Sequence, residues 1–343
     1  MFPKPVFLLF FLLYFCVLRA QNTFQVMFYN VENLFDTINA PDKADDEFTP
    51  EGFRHWTPKR YYRKINHLAK VITSIGGWDT PALIGLCEVE NDKVINDLIF
   101  RSPLRKMQYR YLITESDDPR GLNVALLYQR NQFKYLYHDC IRLIFSKNQQ
   151  KKTRDILHVT GIVITGDTLD VFVCHFPSRR GGQSESEPDR IEAASVVLSE
   201  VDRLTAQRSR PNILIMGDFN DEPSNKSMLQ ILHARPLTET NDRNELYNLF
   251  LVIEEKSIVG SYKFGDRWNF LDQIIVSGDL LNPANDLHVL PETATIFHKE
   301  FLSTEDRTYG GIRPKKTFHG HKYEGGFSDH FPIVVQIATK RDP

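Results

Sequence analysis

The chain has 343 residues, with 42 Lys or Arg against 44 Asp or Glu for a net charge of −2, and 12% of it is aromatic. That length admits one large domain or two small ones, and the ordinary composition excludes collagen-like, low-complexity and mainly disordered chains. The even charge balance also excludes a protein that coats nucleic acid by neutralising many phosphates at once, so any phosphate must be met by local groups or a metal.

Lys4, the apolar run Val6–Leu18 and Arg19-Ala20 read as a secretory signal over residues 1–20. As a helix the run would rise about 20 Å, short of the roughly 30 Å hydrocarbon core. Its removal takes Lys4 and Arg19 away, moving the charge from −2 to −4. The remainder, 21–343, is expected to be a single domain, secreted or periplasmic, monomeric and without a transmembrane anchor. Cys87, Cys140 and Cys174 remain, with no C-x-x-C spacing, so a structural zinc site is not expected.

Short apolar runs follow: Phe24–Tyr29, Ala82–Cys87, Asn123–Tyr128, Ile156–Thr165, Leu169–Phe176, Asn212–Met216, Phe270–Ser277 and Phe331–Ile337. Their length and their Gly, Pro, Asn and Asp borders predict strands, and Gly166-Asp167 predicts a hairpin turn. Thr57-Pro58 opens a helix whose apolar stripe is Tyr61, Ile65, Leu68, Ile72 and Ile75, ended by Gly76-Gly77. Its Lys59, Arg60, Arg63 and Lys64 are expected on a solvated face. A weaker helix is expected over Asn91–Phe100, and a third opening at Pro188 with Ile191, Ala194, Leu198, Val201 and Leu204 on one side. Phe35–Phe53 and Ala284–Tyr323 read as long loops. The expected fold is an α/β sandwich: two packed, mainly antiparallel sheets with helices on the outer faces.

Polar residues punctuate the strand ends. The run from Phe24 meets Asn30, that from Ala82 meets Glu88, that from Leu169 meets His175, and that from Asn212 meets Asp218 and Asn220; Asp272 follows Phe270-Leu271, and Asp329-His330 precede the last strand. Charged groups at a core rim are costly unless paired or metal-bound. Four carboxylates, two amides and two imidazoles without thiolate suit a hard cation, Mg²⁺ with Mn²⁺ or Ca²⁺ as alternatives. Hydrolysis of a phosphate ester needs such a cation and groups that activate water and protonate the leaving oxygen.

Tyr29-Asn30-Val31-Glu32-Asn33, Leu86-Cys87-Glu88, Cys174-His175-Phe176-Pro177-Ser178, Gly217-Asp218-Phe219-Asn220, Leu271-Asp272-Gln273 and Ser328-Asp329-His330-Phe331-Pro332 resemble the endonuclease/exonuclease/phosphatase superfamily over about Phe24 to Ile337. The resemblance implies a four-layered α/β sandwich. It implies Glu88 as the main metal ligand with Asn30 beside it, Asp218 and Asn220 around the attacking water, an Asp272–His330 couple with Asp329 next to it, and His175 as in the deoxyribonuclease branch. Asp218 and His330 stay joint candidates for the general base. Glu115 is a candidate partner for His175. Arg179 and Arg180 could cradle a substrate phosphate, and Trp268 could stack on a base or headgroup, against the alternative of core packing. The expected activity is a metal-dependent phosphodiesterase cleaving nucleic acid. Rival readings are a same-fold hydrolase of a phospholipid headgroup or small phosphomonoester, and a non-catalytic secreted binding domain.

Overall fold

The computed structural model describes residues 22–76 and 79–340; the signal sequence expected over residues 1–20 and Gly77 of the expected helix stop lie outside the described residues. The chain runs through β1 (Asn22–Leu34), α1 (Pro58–Gly76), β2 (Leu83–Val89), α2 (Asp92–Phe100), β3 (Tyr109–Ile113), β4 (Asn123–Gln129), β5 (Phe133–Ile141), β6 (Ile156–Val163) and β7 (Thr168–His175). It continues through α3 (Gln183–Gln207), β8 (Ile213–Asp218), β9 (Ala234–Arg235), β10 (Leu246–Asn248), α4 (Leu251–Lys256), β11 (Tyr262–Phe264), β12 (Arg267–Asn269), β13 (Asp272–Ser277) and β14 (Leu287–Ile296). The short β15 (Ser303–Glu305), β16 (Ile312–Pro314), β17 (Phe318–His319) and β18 (Lys322–Tyr323) lead to β19 (Ile333–Thr339).

Two sheets result, ordered β14-β19-β1-β2-β4-β3 and β5-β6-β7-β8-β13-β10-β9. Both are mainly antiparallel, with parallel pairs at β1–β2, β7–β8 and β9–β10. The period of two explains their burial. In the second sheet Val171, Val173, Leu214, Met216, Ile274 and Val276 face the first sheet. The alternate residues Phe172, Cys174, Ile213, Ile215 and Ile275 face outward, beneath Ala194, Val197, Val201 and Leu204 of α3. Strands buried on both faces read as continuous apolar runs, which is why the sequence marks them clearly. Tyr61, Ile65, Leu68 and Ile72 of α1 join the core on the first sheet's side, completing four layers. No helix among the described residues is long and apolar enough to cross a membrane.

Several expectations need correction. α3 begins at Gln183 and carries Pro188 inside its second turn; proline there withholds the N–H that would reach the Ser184 carbonyl and crowds that carbonyl, yet the helix continues to Gln207. The stretch Ala284–Tyr323 is not one loop. It holds β14, which pairs with β19 but shifts register between Leu290 and Thr295, where Pro291-Glu292 interrupts the apolar pattern. The edge strand β5 also gave no apolar run, because one of its sides faces solvent.

Candidate active site

The ends of β1, β2, β7, β8 and β13 and the segment before β19 meet at one rim. Asp218 is the hub. It lies opposite Asp272 in the β8–β13 ladder and beside His175 in the β7–β8 ladder. Gly217 permits that proximity, since a Cβ there would sit 2.6 Å from the Cys174 carbonyl oxygen. Asn30 Nδ2 donates to Asp218 Oδ2 at 2.9 Å and to Glu88 Oε1 at 3.3 Å. His175 Nε2 and His330 Nε2 each stand 3.8 Å from the same Asp218 oxygen. His330 Nδ1 pairs with Asp272 Oδ2 at 2.7 Å. The Asn220 N–H donates to Asp218 Oδ1 at 3.0 Å. The structure therefore brings Asn30, Glu88, His175, Asp218, Asn220, Asp272 and His330 together, with Asp329 adjoining His330 and close enough to Glu88 for the two charges to repel.

Two of these residues occupy the left-handed backbone region, Glu88 at φ +61° and Asn220 at φ +51°. Such positions cost on the order of 1–3 kcal/mol and persist only where surroundings impose them. At Glu88 the cause is a bulge between Cys87 and Val89 in the ladder with β4, which turns the carboxylate to accept from the Asn33 N–H at 2.8 Å. At Asn220 the side chain is held by the Phe176 carbonyl at 3.1 Å.

The rim opens into a cleft of about 1030 Å³ with carboxylates at its floor and Arg120, Lys151, Lys152, Arg154, Arg179 and Arg180 around it. A larger cavity, about 1370 Å³, lies by Asn22 and Thr23 at the opposite end of β1 and holds none of these residues.

A model of the Endonuclease/Exonuclease/phosphatase family matches residues 25–339. The chain belongs to this family. Its members are phosphoester hydrolases, generally dependent on a divalent metal. No curated protein sequence matches the chain. Among solved structures, a Bacteroides thetaiotaomicron endonuclease/exonuclease/phosphatase family protein is similar at TM-score 0.58 and 16% identity, covering 94% of this chain and 100% of that one. The mannosyl-6-phosphatase of the same organism gives 0.56 and 17%, covering 92% and 99%. The human Nocturnin catalytic domain gives 0.55 and 18%, covering 93% and 95%. These likenesses establish the endonuclease/exonuclease/phosphatase fold.

The residues fit a hard cation. Asp218 is pushed up to about 6 by burial, partly offset by His330, with Asp272 adding to the rise. Asp329 is raised by burial and by Glu88, and Asp272 Oδ1 is buried with no partner. Crowded carboxylates short of positive charge are what a divalent ion would relieve. Cys87 also lies near His175 and Asp218. Burial and Asp218 push its thiol well up, so it stays protonated and packs as core. The two imidazoles differ. Burial opposes charge on His330, but Asp272, Asp218 and Asp329 outweigh it and hold the ring well above its ordinary value. His175 is driven well below by burial, then by Arg154 and Arg120.

Three expected contacts are absent. Glu115 is exposed and faces a separate cavity of about 360 Å³. Thr114 and Ser116 turn inward onto Asn123, so the residue between them must point out; His175 Nδ1 has no hydrogen-bond partner. Trp268 stacks on Phe331 at 5.7 Å and is absent from the cleft lining. Arg179 lines the cleft, but its guanidinium is spent on the Asn220 carbonyl at 2.7 Å, Asn269 Oδ1 at 3.3 Å and Asn225 Oδ1 at 3.2 Å. It braces the Asp218–Asn220 turn. Arg180 remains exposed on the cleft wall.

Lys64 departs furthest from expectation. It is 2% exposed rather than solvated. Its ammonium donates to the Phe327 carbonyl at 2.6 Å and Thr317 Oγ1 at 2.7 Å, and stands 3.5 Å from Glu32. Glu32 accepts from the Thr317 N–H at 2.6 Å. The pair thus ties α1 and β1 to the segment that delivers Asp329 and His330. Lys64→Met, which leaves Glu32 buried and uncompensated, is expected to cost about 3–5 kcal/mol in urea unfolding. Adding Glu32→Gln should recover part of that loss; equal stability of the parent and Lys64→Met would refute the pairing.

A pH effect follows from the raised carboxylates. Glu32 is pushed to about 7 by burial, against Lys64, Glu90 to about 7 by burial, and Asp218 to about 6. A carboxyl whose folded value exceeds its unfolded one binds its proton more readily when folded, so its ionisation between roughly pH 4 and 7 lowers stability. His330 acts in the same direction, since a raised histidine loses its contribution as pH rises through its folded value. His175, held neutral, opposes them below its unfolded value near 6.5. The melting temperature in EDTA should therefore be higher at pH 6 than at pH 8, and Mg²⁺ should narrow the gap. An unchanged or reversed gap in EDTA would contradict this balance.

Proposed function

We propose that the protein is an exported, Mg²⁺-dependent phosphodiesterase that cleaves nucleic acid. The observation that carries this reading is the buried carboxylate–imidazole floor beneath a cationic cleft wall. Glu88, Asn30 and Asp329 are the residues that would hold the cation, which when bound supplies positive charge to the phosphoryl oxygens. Asp218, ionised above about pH 6, takes the proton from the attacking water; Asn220, fixed by Phe176 and by Asp218, orients that water. His330, kept protonated by Asp272, donates a hydrogen bond to a phosphoryl oxygen, and the neutral His175 offers another. Arg154, Arg120, Lys152 and Arg180 meet the remaining charge. The phosphorus–oxygen bond to the leaving group breaks as the bond to water forms; the departing oxygen takes a proton from solvent in the open cleft, and Asp218 returns its proton to solvent. Export is supported by the apolar run Val6–Leu18.

A second reading, hydrolysis of a sugar phosphomonoester, is favoured by the cationic wall of a single cleft of about 1030 Å³ on a chain whose net charge is only −2, and by likeness to a mannosyl-6-phosphatase. The deciding assay offers plasmid DNA, RNA, bis-p-nitrophenyl phosphate, sphingomyelin and mannose 6-phosphate to the purified protein with Mg²⁺ and with EDTA. Cleavage of DNA or RNA supports the first reading. Turnover of mannose 6-phosphate alone replaces it with the second, and no turnover of any overturns both.

A further inference from the structure

The cleft carries one large apolar side chain that neither core nor chemistry uses. Phe264, at the end of β11, lines the cleft beside His330 and Asp218 yet is 72% exposed. Among the described residues no ring or cation packs on it. A lone exposed aromatic is unremarkable by itself; its mounting is not.

The β11–β12 hairpin that carries Phe264 is fastened to the catalytic segment at several points. Tyr262 forms a β-bridge with His330, and their rings lie 4.7 Å apart. The Phe331 N–H donates to the Ser261 carbonyl at 2.7 Å. Lys263 Nζ pairs with Asp306 Oδ2 and the Gly310 carbonyl, each at 2.8 Å. On the returning strand Trp268 stacks on Phe331, and Asn269 receives Arg179. Every residue from Tyr262 to Lys263 and from Trp268 to Asn269 is thus committed, and the platform holds Phe264 at a fixed place relative to the reacting phosphate. The adjoining β15–β16 hairpin, joined through Lys263, exposes Tyr309 at 60% among Glu305 and Arg307.

We propose that Phe264 is a specificity-determining residue that stacks on a nucleobase adjoining the scissile phosphate. This rests on the nuclease reading above. An exposed aromatic on the wall of a cleft lined by cations suits a single strand, whose bases all present a π-face, and one such stack is worth about 1–3 kcal/mol. A membrane is a poorer occupant: the tip continues as Gly265-Asp266-Arg267, whereas interfacial insertion needs a broad apolar face.

The test compares thymidylyl-thymidine with its base-free analogue, two tetrahydrofuran units joined by the same phosphodiester. In the parent, kcat/KM should favour the base-bearing compound by about 5- to 150-fold. Phe264→Ala should bring that ratio close to one, through KM rather than kcat, and Phe264→Trp should keep it. A ratio unmoved in Phe264→Ala overturns the proposal while leaving the nuclease reading intact. So does loss of binding to sphingomyelin–phosphatidylcholine vesicles in Phe264→Ala with the ratio unmoved, which would assign the hairpin to a membrane. A parent that cleaves neither dinucleotide, yet hydrolyses mannose 6-phosphate in the same buffer, removes the nuclease reading and this proposal with it.

Discussion

Asp272→Asn is expected to lower kcat by about 10²–10⁴-fold while leaving the fold intact. The carboxylate meets His330 Nδ1 at 2.7 Å, fixing which nitrogen faces Asp218 and favouring the imidazolium. An amide keeps the shape and can accept the same hydrogen bond, but it withdraws the charge. His330 should then lose its proton near neutrality, and the pH profile should shift toward acid along with the fall in rate. Circular dichroism and melting temperature report the fold, and NMR titration of the imidazole reports its protonation. Near-parent activity on every substrate, or an unshifted His330 titration, would show that the couple does not govern the chemistry.

Glu88→Gln should raise the Mg²⁺ concentration needed for half-maximal activity at least about tenfold, the loss of one charged ligand being worth on the order of 1.4 kcal/mol or more. Mn²⁺, which binds the same ligand types more tightly, should restore part of the activity. The amide can still accept from the Asn33 N–H that now meets Glu88 Oε2 at 2.8 Å, so the bulge should survive. Metal-free stability should stay level or rise, because Asp329 loses a like-charged neighbour. A Mg²⁺ titration identical to the parent's, or full parental activity in excess EDTA, would remove Glu88 from the metal site.

What the sequence revealed and what it hid divide along physical lines. Asn30, Glu88, His175 and Asp218 were visible because each follows an apolar run, and Asp272 because it opens the strand Asp272–Ser277; a polar residue at the border of such a run marks the rim of a sheet. Lys64 reads as solvated when grouped with Lys59, Arg60 and Arg63, yet its spacing of three from Tyr61 and four from Leu68 puts it on the buried stripe of the helix. The approach of Thr317 and Phe327, some 250 residues later, supplies its partners. Arg179 misled for the opposite reason: a basic residue after the histidine motif looks like a substrate contact, yet Asn220, Asn225 and Asn269 consume its guanidinium. Arg154 had a faint mark, a basic run abutting the strand at Ile156, that composition alone could not separate from a solvated turn. The hairpin bearing Phe264 had none, since β11 and β12 are three residues each.

The last strand of the chain has a consequence for synthesis. β19 lies between β14 and β1, and Asp329 and His330 immediately precede it. A nascent polypeptide grows from its amino end and folds as its segments emerge. Until β19 is free of the ribosome, β14 has no strand on which to pair, the edge of β1 is open, and the floor of the cleft lacks its imidazolium. A chain that has not yet released β19 therefore lacks the Asp329 and His330 part of the rim, which is completed only when that strand docks between β14 and β1.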